Sequence, residues 1–532
     1  MHGSSVRYTL NKGGRVDAMW SRKTVRSLLL VSVGLTLALA GGISSFYWAN
    51  IFDYILTKEL YLSPSSTSYS VWKDTPVPIS IKFYFFNWTN PEDLEIEGSK
   101  PRLVQMGPYV FNELEEKVNV TWNDNHTISY QQRRTWFFDA ERSNGSLADN
   151  ITTLNVVAVT ASYVAREWNY FVQKSISVAF STMRQKVHIT KTVGELLFQG
   201  YSDPVIAMGS SFPLPPGVRI PYDKFGWFYQ RNGSTTYDGV YNMATGQDDI
   251  RRLGDLLQWN HRNRTDFYPG SCGEVRGSAG QLWPPYRQRK DSVHMFSTDL
   301  CRSIWFDYLD DVEVSGLKAY RYSGGAGIVD NGTLDSANDC YCGGRCVPSG
   351  VLNVSSCRFG SPAFVSYPHF HLADPYYLRQ VDGMQPEPDK HRFDISIEPT
   401  TGIPLDVAAR FQINILLETR PYVTLFRRVP TIFFPVMWFE QRAAITPDMA
   451  SQMKLLLQLP SFGLATSLAL LTVGTVLVAA TLLCCVCSGR HGAAGDHALD
   501  KKLAGEAVFE GHVISPLLGK KARPEVSQIG RT

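Results

Sequence analysis

The sequence predicts a mixed α+β domain, an antiparallel sheet or barrel with an early helical insertion, held between two membrane-crossing helices. Three observations carry this. Two long uncharged runs lie near the ends of the 532-residue chain. Apolar residues alternate with a period of two at both ends of the stretch between them. From 154 to 200 the apolar spacing changes to three and four residues, the period of a helix.

The anchors come first. Residues 27–48 carry no charge, and at about 1.5 Å per residue a helix of that length crosses a hydrocarbon core of about 30 Å. Residues 459–487 are likewise uncharged and longer than required. Six Lys/Arg and one acid precede the first run; seven Lys/Arg and five acids follow the second. The positive-inside rule then places both tails, 1–26 and 488–532, in the cytosol and leaves 49–458 as an ectodomain. Phe46, Tyr47 and Trp48 suit the outer interface. A competing reading takes Ala38-Leu39-Ala40 as a signal-peptidase site; the long basic leader and the apolar residues beyond the cut favour a retained helix. Gly34, Ala38 and Gly42 form a small-residue stripe. It suits close packing between the two anchors or between two copies in a homo-oligomer, although small residues are common in membrane helices generally.

Between the anchors the chain reads as secretory. Nine Asn-x-Ser/Thr sequons occur there and none in the tails: Asn87, Asn119, Asn125, Asn144, Asn150, Asn232, Asn263, Asn331 and Asn353. Six cysteines, Cys272, Cys301, Cys340, Cys342, Cys346 and Cys357, crowd one part of the ectodomain. Their spacing is no regular zinc pattern, and in an oxidising compartment six cysteines suit three disulfides with fifteen open connectivities. Cys484, Cys485 and Cys487 end the second run, where they suit S-palmitoylation or simply complete an apolar helix. Apolar residues at 44% and aromatics at 12% exclude a disordered chain, and a net charge of +3 argues against nucleic acid as a partner.

Within 49–458 no repeat or long linker divides the chain, so one domain is expected. Strands are predicted around Val77–Phe83, Val118–Trp122, Phe411–Ile415 and Val423–Leu425 from their alternation. Val156, Val159, Tyr163 and Val164 mark a helix, and the helical region stops at Gly200 and Pro204. Phe212-Pro-Leu-Pro-Pro-Gly217 reads as a loop.

Chemistry is sparse. No nucleophile elbow, phosphate loop or zinc-protease motif is present, and no cofactor or enzymatic activity is indicated. Gly324-Gly-Ala-Gly327 lacks the strand–helix setting of a nucleotide loop and reads as a surface turn. His369 and His371 would share a strand face but lack a third ligand, so no metal site is expected. Asp310-Asp311 and Asp248-Asp249 read as solvated turns. Arg184, Lys186 and Lys191, with His188 among them, give the helical region a local basic set, which suits either a solvated face or a docking surface.

Several segments, in this order, resemble the class B scavenger receptor family, which includes the fatty-acid translocase, the high-density-lipoprotein receptor and a lysosomal integral membrane protein. They are Phe83-Tyr-Phe-Phe-Asn-Trp-Thr-Asn-Pro91, Gly107-Pro-Tyr-Val110, Asp238-Gly-Val-Tyr241, Ser297-Thr-Asp-Leu-Cys-Arg-Ser303, Pro368-His-Phe370 and Ile397-Glu-Pro-Thr-Thr-Gly402. The resemblance spans about 27 to 487. It implies a barrel-like antiparallel core, an apical helical bundle and an internal apolar tunnel. It also implies the pairs Cys272–Cys340, Cys301–Cys357 and Cys342–Cys346, and docking of anionic ligands by Arg184, Lys186 and Lys191. Tyr222-Asp-Lys-Phe-Gly226 is more similar to the lipoprotein-receptor and lysosomal branches than to the translocase. Leu517-Leu518 lacks the upstream acid of a lysosomal sorting signal.

The function this implies is a plasma-membrane receptor that docks lipoprotein particles and passes sterols, fatty acids or carotenoids through the tunnel. The alternatives are a recognition receptor for modified particles or dying cells, or a trafficking receptor of endosomal and lysosomal membranes.

Overall fold

A computed structural model describes residues 22–211, 220 and 222–505, with side chains from 24 to 487 within those limits. The expected loop at 212–217 and Leu517-Leu518 lie outside the described residues. The chain divides into two compact units, one formed by 1–50 with 460–532 and the other by 51–459.

In chain order the elements begin with helix α1 (Arg22–Leu60), helix α2 (Thr67–Lys73) and strands β1 (Ile79–Trp88), β2 (Leu103–Asn123), β3 (Thr127–Asp139) and β4 (Asn150–Leu154). Helices α3 (Val156–Val164) and α4 (Tyr170–Thr182), strand β5 (His188–Thr192) and helix α5 (Pro204–Ser211) follow. Next come β6 (Val240–Ala244), β7 (Leu256–Trp259), β8 (Val293–Ser297), β9 (Arg302–Val314), β10 (Leu317–Ser323), β11 (Leu352–Asn353) and β12 (Ala363–Ser366). The chain closes with one-turn helices α6 (Pro375–Leu378) and α7 (Pro388–His391), strands β13 (Asp394–Ile397), β14 (Pro404–Leu417) and β15 (Ile432–Ala444), and helix α8 (Pro447–Gly505).

Thirteen strands make one antiparallel, barrel-like sheet, as expected from the alternation. Its main path runs β7, β6, β3, β2, β1, β15, β14, β13, β10, β9, β8, with β12 and β11 branching from β14. Apolar residues of β1 explain its central place: Ile81, Phe83 and Phe85 point inward at a period of two and are buried. Phe83 pairs in register with Phe439 of β15 and Tyr109 of β2. The sheet's two ends meet on one short segment. Leu256 of β7 donates its N–H to the Gly277 carbonyl, and Ser278 exchanges backbone hydrogen bonds with His294 and Phe296 of β8. Gly107 is a glycine for a stated reason: its φ is +114°, and a Cβ there would sit 2.6 Å from the Phe83 carbonyl oxygen.

The sequence reading needs correction in several places. Val423–Leu425 is no strand; Thr424–Phe426 forms a 3-10 turn whose Phe426 is buried in the core. The 154–200 region is not helical throughout, because after α4 the chain turns at Arg184 (φ +53°) and enters β5, which pairs antiparallel with β4. Asp310 and Asp311 sit in β9, not in a turn, and pair with Arg321 and Arg289 on neighbouring segments. His369 and His371 do not share a strand face, since Pro368–Phe370 is a 3-10 turn.

The predicted first anchor ends at Trp48, yet α1 continues to Leu60. Phe52, Leu56 and Leu60, four residues apart, are buried with Trp72 and Tyr130 in a core of the ectodomain unit, which extends the helix. Both α1 and α8 are long and apolar enough to cross a membrane. Inside the anchor unit the small-residue stripe is used between these two helices. A Cβ on Gly34 would lie 2.7 Å from Val478, and one on Gly41 or Gly474 would meet the partner helix backbone. Ser44 and Ser467 hydrogen-bond across the pair, and Trp48 donates to the Pro460 carbonyl at 3.1 Å. The stripe that suited a second copy is therefore occupied within the chain, through Gly41 more than Gly42.

Candidate functional site

An apolar cavity of about 830 Å³ lies within the ectodomain unit, between the inner face of the sheet and helices α3, α4 and α5. Its sheet wall comes from Ile81, Trp136, Phe411, Ile413, Ile415 and Phe439. Its helical wall comes from Val157, Ala161, Val164, Ile176, Val205 and Ile206. The local sequence accounts for this arrangement. Asn155 caps α3 by accepting from the Ala158 N–H at 3.1 Å, which starts a helix whose valines turn onto the sheet. The volume falls among ordinary sites for small apolar ligands, roughly 300–1,000 Å³.

One part of the wall is charged. Glu113, Arg134, Arg231, Asp299, Arg358 and Lys224 all line the cavity. Arg231 donates to Asp299 at 2.9 Å and to Asp238 at 3.0 Å, and its guanidinium lies 4.9 Å from the Tyr237 ring and 5.4 Å from that of Phe228. Arg134 Nε stands 3.4 Å from Asp238, 3.6 Å from Glu113 and 3.9 Å from Glu115, beyond good hydrogen-bond geometry for the last two. Burial pushes the Glu113 carboxyl up, and Glu115 beside it adds to this, against the pull of Arg134. Burial also raises Asp299, but Arg231 and Arg358 outweigh it and hold that carboxyl low. Glu115 is held low in the same way by Lys117 and Arg134.

The sequence missed this charged wall. Asp238 and Asp299 fall in two of the quoted segments, but Arg134 and Arg358 stand far from both in sequence, and Arg231, seven residues before Asp238, lies 68 from Asp299. Only the folded sheet brings the five together.

The predicted docking residues lie on the stretch from the end of α4 into β5. Arg184 is exposed and makes no ion pair among the described residues. Lys186 lies 3.7 Å from Glu92, which also faces His188 at 3.6 Å. Lys191 lies 3.8 Å from Glu195 and 4.9 Å from the centre of the Tyr201 ring. Such exposed pairs contribute about 0–1 kcal/mol and can be exchanged for another anion.

The cysteines pair as Cys272–Cys340, Cys301–Cys357 and Cys342–Cys346, with Cα separations of 6.0, 6.3 and 4.7 Å. Cys484, Cys485 and Cys487 are free and exposed. Of the sequons, Asn119, Asn125, Asn144, Asn150, Asn232 and Asn263 are exposed and Asn87 is half-buried. Asn331 and Asn353 are buried, and their Nδ2 atoms donate to the carbonyls of Val347 and Cys342. His369 is engaged on both ring nitrogens, by Gln105 and the Gln385 N–H. Among the described residues no cluster of three His, Cys, Asp or Glu side chains could hold a metal ion.

Comparison with known proteins places these features. The CD36 family profile matches residues 32–485. Protein peste of Drosophila melanogaster is 42% identical over 422 residues, covering 78% of this chain and 75% of that protein. Scavenger receptor class B member 1 of Mus musculus is 32% identical over 434 residues, 81% of this chain and 83% of its own. Lysosome membrane protein 2 of Homo sapiens is 34% identical over 433 residues, 80% of this chain and 87% of its own. With two apolar end helices, a barrel-like antiparallel ectodomain and a family match over most of its length, this membrane protein belongs to the CD36 family, the class B scavenger receptors.

Proposed function

We propose that this chain is a receptor, anchored with both ends in the cytosol, that docks lipid-carrying particles and passes their lipid through the ectodomain cavity to the membrane. The apolar cavity of about 830 Å³ carries the reading. A lipid with about sixteen methylenes meets a barrier of roughly 13 kcal/mol on entering water, at about 0.8 kcal/mol each. An apolar passage removes most of that cost while leaving the end states nearly equal, so transfer runs down a gradient without nucleotide. Arg184, Lys186 and Lys191 are the docking residues in this scheme, with Lys186 and Lys191 exchanging their glutamate partners for an anionic particle.

The test uses cells expressing the full chain and particles carrying separate lipid and protein labels. Ala161→Trp, which fills the cavity from α3, is expected to cut lipid uptake about tenfold while particle binding stays within twofold, since the bulky ring removes the apolar path. Arg184→Glu with Lys186→Glu is expected to lower particle binding. If Ala161→Trp leaves lipid uptake intact, the conduit reading is wrong, and gripping or trafficking of the ligand is the better account.

A further inference from the structure

The charged wall stands in a cavity that is otherwise hydrocarbon, which an aliphatic cargo alone would not require. Burying charge is costly unless each group is paired, and a wall that merely filled space would be more stable as apolar side chains. Four cations face the cavity, Arg134, Arg231, Arg358 and Lys224, against two acids, Glu113 and Asp299. Asp238 and Glu115, which balance the set, do not line it.

The pairing is also incomplete. Arg134 makes no side-chain hydrogen bond among the described residues, although three carboxylates stand within 3.4–3.9 Å of its Nε. The Glu113 side chain is fully buried, and its Oε1 has no hydrogen-bond partner, while the other oxygen accepts from Gln441 at 2.7 Å. Arg231 Nε is buried without an acceptor. Lys224 has no ion pair among the described residues. Arg231 and Arg358, by contrast, are committed to Asp299. Unused donors therefore gather at one place on the wall, beside a carboxyl that burial favours in its uncharged form.

We propose that Arg134 and Lys224, backed by Arg231 and Arg358, form a head-group subsite that takes the anionic head of a single-chain amphipath, with the tail laid along Val157, Ala161, Ile413 and Phe439. A carboxylate or phosphate head accepts the free donors of Arg134. An uncharged alcohol or ester head offers fewer acceptors and no compensating charge, so the subsite selects by head charge and fixes the direction in which the lipid lies. This rests on the cavity being a lipid site, as proposed above.

The experiment uses the detergent-purified full-length protein and three C16 probes: hexadecanoate, hexadecyl phosphate and 1-hexadecanol. The two anions are expected to bind about tenfold tighter than the alcohol at neutral pH, the equivalent of one charge-assisted hydrogen bond. Arg134→Gln should bring the anion-to-alcohol ratio close to one, and Arg134→Lys should restore part of it. Lys224→Gln, at a half-exposed position, should lower the ratio severalfold and covers the case in which Arg134→Gln does not fold. Preference for one anion over the other identifies the head as carboxylate or phosphate, and either outcome supports the subsite. Equal affinity for all three probes, or variants that weaken all three alike, would overturn the head-group subsite while leaving a lipid cavity in place. Binding of no probe, or binding that Ala161→Trp does not abolish, would sink the cavity reading and this inference with it.

Discussion

Asn331 and Asn353 carry the same tripeptide as seven other asparagines, yet they are 3% and 8% exposed and the seven are not buried. A sequon records only three residues, whereas a glycan needs an Nδ2 with open space around it. Asn331 spends that atom on Val347, and Asn353 approaches the Cys342 carbonyl while its Oδ1 accepts from the Ser355 N–H. Peptide mapping of the secretory-pathway protein should find Asn331 and Asn353 unmodified, with glycan confined to the others. Substantial occupancy at either one would show that the loop around Cys342–Cys346 packs differently. The basic residues teach the same lesson. Arg184, Lys186 and Lys191 could be read as a local positive set because they are neighbours in sequence. Glu92, some ninety positions earlier, could not be read as the partner of Lys186, because only the fold brings it there.

At the scale of elements, alternation served where a strand had one buried face. It found β1, β2 and β14, and it failed at Val423–Leu425, where two apolar residues flank a turn that packs Phe426 against Phe180. Helical spacing found α3 but carried on past Thr182, since His188–Thr192 is too short to show its own period. The charged wall of the cavity was beyond reach, because it joins β2, β3 and three loops. The anchor helices show a further gain of structure over sequence. The small residues announced a close approach without naming the partner, and the structure names α8. Replacing Ser44 and Ser467 by cysteine should give an intramolecular disulfide in membranes, read as a link surviving proteolysis of the ectodomain. Gly41→Ile, which would drive a branched side chain into Leu471, should abolish it. A link that persists in Gly41→Ile would mean the helices meet elsewhere.

For the whole molecule, acid is the informative variable. His369 and His391 stack with ring centres 4.5 Å apart in a core also holding Trp438. Burial holds His369 at about 4, and burial with the charge of His369 and His371 nearby holds His391 at about 3. Burial shifts His188, His294 and His371 downward as well. In the unfolded chain these rings take up a proton near pH 6.5, so the unfolded state binds more protons between that pH and the folded values. Stability is therefore full above pH 6.5 and is lost as the pH falls toward 4, by on the order of 2 kcal/mol for each of the stacked pair. Glu113, shifted upward, works against this loss, while Asp299 and Glu115 add to it at lower pH. Thermal melts of the full-length protein should fall steadily from pH 7 to 4.5, and His391→Gln should flatten the slope. A melting temperature indifferent to pH across that range would mean these rings are not buried as described.

The segment at Gly277 and Ser278 occupies the outer rims of both terminal strands of the sheet. Exposed rims of that kind are where one β-protein recruits another into an unwanted stack. Fastening both to a few residues of the same chain leaves those positions already paired and closed to a strand of another molecule.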